Sequence, residues 1–145
     1  MNDIEMCIMA CLLIKPELMK EVYVEDKHFL KRQRLWQFMK EFYKRFETFD
    51  INIMYSVCKD KWHIMNYIEE LSYVEAYPFN FNKYQDRLIE IYNDNEKEKW
   101  IRERVYTEAI RLLLGQIKSN DFKNKVDKIY LDAEKIYKES EKQNV

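Results

Sequence analysis

The sequence predicts an all-α protein, a compact multi-helix globule followed by a long antiparallel helical hairpin. Three observations carry this expectation. The 145 residues hold one glycine, Gly115, and two prolines, Pro16 and Pro78, whereas sandwiches, barrels and nucleotide-cradling folds need many positive-φ turns and close backbone approaches. Apolar residues make up 47% of the chain and aromatics 15%, too much for a disordered polypeptide. Along most of the length the apolar residues recur at intervals of three and four, the period of a helix with one buried face.

The first helix starts at Asn2 or Asp3, either of which can cap it, carries Ile4, Ile8, Cys11 and Leu12, and stops at Lys15-Pro16. Pro16 suits the first turn of a second, short helix with Leu18, Met19 and Val22. Val24 to His28 reads as a polar connector. A third helix is expected over 29–46, with Leu35, Phe38, Met39, Phe42 and Phe46 on one stripe and Trp36 and Tyr43 beside it. After the loop Thr48-Phe49-Asp50, two more helices are expected over 51–58 and 62–73. Pro78 and its flanking asparagines then mark the clearest break, which divides a globular subdomain at 1–82 from a hairpin at 83–140 and a frayed tail at 141–145.

The hairpin region has the plainest pattern. From Lys83 the sequence can stay helical to about Leu114, and Gly115 stands where a helix C-terminus favours a left-handed residue. The run Asn93 to Lys99 has no apolar side chain and reads as a face open to water or an elbow. Asp121 is the expected cap of the last helix. Phe122, Val126, Ile129, Ala133 and Ile136 are spaced 4, 3, 4, 3, a narrow coiled-coil seam. Ile101, Val105, Ala109 and Leu112 form the matching row, with Tyr106 and Leu113 beside it. Helices of about 20 residues are about 30 Å long, and a short turn between them makes them antiparallel. A lone two-helix hairpin buries little area, so the surface left over should meet a second protein surface. Trp100, Tyr106, Leu113, Tyr130 and Tyr137 lie off the seam and are candidates. Pairing of two copies is expected to run through Leu112, Leu113, Val126, Ile129, Ala133 and Ile136.

Catalysis finds little support in the residues. His28 and His63 lie in different expected elements, without a Cys or carboxylate at metal-ligand spacing. Cys7 and Cys11, one helical turn apart among apolar residues, read with Cys58 as reduced structural thiols. A phosphate-cradling loop needs several glycines, which this chain lacks. No catalytic residue, metal or cofactor is therefore expected. Lys and Arg number 25 against 26 Asp and Glu, which removes a whole-molecule pull toward nucleic acid or an anionic membrane. A local basic cluster at Lys27, His28, Lys31, Arg32 and Arg34, next to Phe29 and Trp36, is the one candidate patch for DNA or a partner. The apolar run at Ile8 to Ile14 is too short to span a bilayer and follows acidic residues, so neither signal peptide nor membrane helix is expected, and the location expected is cytoplasmic.

The order of these pieces resembles the N-terminal domain of the DnaB-type replicative DNA helicases. The residues concerned are Glu5 with Ile8-Met9-Ala10-Cys11-Leu12-Leu13, Phe29 with Arg32-Gln33-Arg34-Leu35-Trp36-Gln37-Phe38-Met39, and Phe49-Asp50-Ile51. They continue with Tyr67-Ile68-Glu69-Glu70-Leu71, Asn80 to Tyr84, and Asp132-Ala133-Glu134-Lys135-Ile136-Tyr137. Ala10 stands where the family has glycine and Arg32 where it has histidine, as in a divergent member from a phage or a low-GC bacterium. The resemblance implies a non-catalytic collar domain that dimerises through its hairpin. In that family the domain forms a hexamer as a trimer of dimers, docks primase or a helicase loader, and meets DNA only indirectly. Two other readings stay open at this point: a free-standing phage regulator of the host helicase, and a small DNA-binding module using Lys27 to Arg34.

Overall fold

The computed structural model describes residues 3–143 and is all-α; no strand occurs among the described residues. Six α-helices occur among the described residues: α1 (Ile4–Ile14), α2 (Gln33–Phe46), α3 (Ile51–Cys58), α4 (Trp62–Ser72), α5 (Phe81–Leu113) and α6 (Ser119–Gln143). Short 3-10 turns at Pro16–Glu21, Asp26–His28 and Pro78–Asn80 join some of them. The chain divides into two compact units, Met1–Ile89 and Glu90–Val145.

The first unit is built around α1. Asp3 caps this helix by accepting the Glu5 N–H at 2.9 Å, and Cys7 through Leu12 are all buried. A helix apolar on every side belongs at the centre of a core, and α1 packs on α4 and on the turns at Pro16–Glu21 and Pro78–Asn80. Asp50 caps α3 through the N–H groups of Asn52 and Ile53, as expected. From α2 come Leu35, Trp36, Met39 and Phe42, from α3 Met54 and Cys58, and from α4 Met65, Ile68 and Leu71. Trp36, expected beside the α2 stripe, is wholly buried and stacks on Phe29 at 4.3 Å between ring centroids.

Three features of the first unit differ from the sequence expectation. The helix expected over 29–46 begins only at Gln33, because the Glu5 carboxylate reaches from α1 and accepts the N–H groups of Lys31 (3.3 Å) and Arg32 (2.9 Å). These donors would otherwise be orphaned near the helix start. The polar connector is tied down, with Val24 and His28 buried. Gln85 of α5, itself fully buried, accepts the Tyr23 and Val24 N–H groups through Oε1 and donates to the Glu21 carbonyl at 3.3 Å. The third difference follows from the second. The unit boundary falls inside α5, after Ile89, rather than at 82/83, since Phe81, Gln85, Leu88 and Ile89 belong to the first unit's core.

In the second unit, α5 ends in a Schellman turn. Gln116 N–H reaches the Arg111 carbonyl at 2.9 Å, Gly115 N–H reaches Leu112 at 3.0 Å, and Gly115 takes φ +73°. Its helix α6 starts at Ser119, ahead of the expected cap Asp121, which instead sits in the first turn where the helix dipole favours an acid. The helix continues to Gln143, past the point where fraying was expected; the last two residues of that expected tail lie outside the described residues.

Candidate functional site

Three side-chain contacts fix the pairing of α5 and α6. Lys125 Nζ lies 3.6 Å from Glu108, Lys97 pairs with Glu134, and Tyr137 donates its hydroxyl proton to the Glu96 carbonyl at 3.2 Å. Residue numbers rise on one helix as they fall on the other, so the hairpin is antiparallel. Asn93 to Lys99 is continuous helix rather than a break, with Asp94, Asn95, Glu98 and Lys99 exposed and Asn93, Glu96 and Lys97 half-buried.

This pairing sorts the expected interface residues into two groups. Ala133 is wholly buried within the single chain, and Ile101, Val105, Ala109, Leu112, Phe122, Val126 and Ile129 are half-buried. These rows form the hairpin's own seam. The physical reason is proximity: two helices joined by a short turn meet each other at far higher effective concentration than they meet another molecule. The rest lies outside the seam. Tyr106 is 67% exposed and Leu113 86%, and Ile110, Leu114, Tyr130, Leu131 and Ile136 are also exposed. Tyr106, Ile110 and Leu113, spaced four and three, make one continuous apolar stripe on the outside of α5. Trp100 and Tyr137 are half-buried, with the Arg104 guanidinium over the Trp100 ring at 3.8 Å.

The basic cluster is dispersed by its surroundings. Arg32 is half-buried and bonds Asp3 at 2.9 Å, Lys31 lies 3.7 Å from the same carboxylate, and Lys27 is 3.3 Å from Glu25. Trp36 and Phe29 are in the core and present no ring for a base to stack on; Arg34 is exposed. His28 is buried and accepts the Glu25 N–H at Nδ1. Burial, and then the charge of Lys27, hold its imidazole below the ordinary value of 6.5.

The acidic partners of α2 respond in opposite senses. Burial raises the Glu5 carboxyl above its ordinary value, against the two N–H groups it accepts. Burial acts the same way on Asp3, but the Arg32 hydrogen bond, the Glu5 N–H and the charges of Arg32 and Lys31 prevail and hold it low. Cys7, Cys11 and Cys58 are free and buried; burial, with Cys7 adjacent, pushes the Cys11 thiol up to about 12. Such thiols are poor nucleophiles. Among the described residues no three His, Cys, Asp or Glu side chains converge to hold a metal ion, and no described helix is long and apolar enough to cross a membrane.

Sequence reasoning missed two fastening residues. Glu5 left a signal, a lone charge inside an otherwise apolar helix, which burial makes costly unless it is paired. Gln85 left none. No family model, curated protein or solved structure matches this chain.

Proposed function

We propose that this chain is a non-catalytic assembly module whose hairpin pairs with the hairpin of a second copy. Its place is in DNA replication, within the collar of a DnaB-type helicase, where it also docks primase or a loader. The observation supporting the pairing is the apolar stripe of Tyr106, Ile110 and Leu113, which stays in water after the hairpin has closed its own seam. Soluble monomers rarely leave contiguous apolar patches beyond a few hundred Å² uncovered, and fully burying a Leu or Ile side chain is worth about 1.5–3 kcal/mol. The replication assignment rests on the resemblance of the residue order described above.

Leu113→Asp tests the pairing. Leu113 is so exposed that the change leaves the fold intact, whereas Ile129→Asp would break the hairpin's own seam and could not separate folding from pairing. The expected result is unchanged helicity by circular dichroism with the mass of a single chain by light scattering. A variant that keeps the wild-type mass overturns the assignment. The replication role predicts co-sedimentation of the wild-type protein with a DnaB-type helicase, its primase or its loader, and its failure with all three removes that role while leaving the pairing intact.

A further inference from the structure

We infer that the outer face of α4 and the segment after it form a docking surface for an arginine-rich segment of another protein. Tyr73 is 88% exposed and Phe79 83%, with Tyr67 and Tyr77 also in water. The Tyr77 and Phe79 rings lie 5.5 Å apart between centroids. On α4 the buried residues Met65, Ile68 and Leu71 take one side, which leaves Asn66, Glu69, Glu70 and Tyr73, at i, i+3, i+4 and i+7, sharing the other.

Along the segment that carries these rings the charge is one-sided, while Glu21 and Lys15 offset each other in the pocket beside Phe79. Residues 64–82 include Glu69, Glu70 and Glu75 and not one Lys or Arg, in a chain that otherwise balances 25 cations against 26 anions. Two of the carboxylates are set by tyrosines: Tyr55 donates its hydroxyl proton to Glu69 at 3.3 Å, and Tyr77 donates to Glu75. A guanidinium fits this combination. Its flat cation stacks on ring faces, whose quadrupole is negative, while its N–H fork meets a carboxylate in bidentate fashion. The chain itself uses this chemistry elsewhere, with Arg45 over Phe46 at 5.0 Å and Arg104 over Trp100. Among the described residues no cation lies over Tyr73 or Phe79. The acidic, aromatic face is thus complementary to arginine supplied from outside, and the inference is independent of how the hairpins pair.

Fluorescence anisotropy of a labelled arginine-rich peptide, with lysine-rich and glutamate-rich counterparts, tests this on the full chain. The arginine peptide should bind more tightly than the lysine peptide and weaken with salt. The double change Tyr73→Ala with Phe79→Ala, and separately Glu70→Lys, should each lower its affinity about tenfold. Both rings are exposed, so these variants should keep the wild-type circular dichroism. Unchanged affinity in the variants, or equal binding of the glutamate peptide, overturns the inference. A change in the protein's own mass on removing the two rings would also overturn it, because a second copy would then be the occupant.

Discussion

The two units handle their apolar residues differently. In the first, α1 is enclosed and its neighbours contribute side chains such as Trp36, Met39, Met54 and Ile68 that reach essentially zero exposure. In the second, Ala133 is the single hydrophobic residue fully buried among those described, while Tyr106, Leu113, Leu114 and Leu131 remain more than 60% exposed. One unit completes a core with its own chain, although Tyr73 and Phe79 stay in water at its surface. The other closes a narrow seam and leaves a stripe over, which is what a surface built for a partner requires.

Substitutions can break or sharpen this contrast. The largest effect is expected for Trp36→Ala, which empties the centre of the first unit and should cost about 3–5 kcal/mol in urea unfolding; a loss under about 1 kcal/mol would mean the core is not closed around that ring. Next comes Gln85→Leu. It keeps the bulk but strands the Tyr23 and Val24 N–H groups, at a cost of about 1–3 kcal/mol, and amide exchange at those two residues should quicken. In the hairpin, Gly115→Ala adds a methyl with nothing within 4 Å to meet it. Only the left-handed backbone resists, so about 1 kcal/mol is expected in thermal melts.

The smallest effect concerns pH. His28 has a folded-state pKa below 6.5, so the unfolded chain takes up a proton first as the solution is acidified. The stability this site contributes is complete above 6.5 and is lost as pH falls from there toward the folded value. In His28→Gln, denaturation curves recorded across that window should lose part of their acid slope. Glu5 works in the reverse sense, because burial raises its folded carboxyl and the folded state is protonated first.

Much of the fold is legible in local sequence. The caps Asp3 and Asp50, the left-handed Gly115 and the apolar period of α2 to α6 act within a turn or two of themselves, so they can be read without knowing the tertiary structure. What escaped was long-range. The late start of α2 depends on Glu5, and the burial of Val24 depends on Gln85, which is 61 residues away in sequence. Periodicity also located the hairpin's apolar rows without saying which of them the chain would cover for itself. Ala133 and Leu113 look alike as members of a repeating pattern, and the antiparallel register alone separates them. The basic cluster failed as a patch for a similar reason: Asp3, from another helix, holds two of its charges.

Sedimentation equilibrium of the wild-type chain, across a range of concentrations, tests most directly whether the leftover stripe binds a second copy. Pairing predicts a mass of twice 18.1 kDa that dissociates on dilution. A mass of 18.1 kDa at every concentration would contradict it.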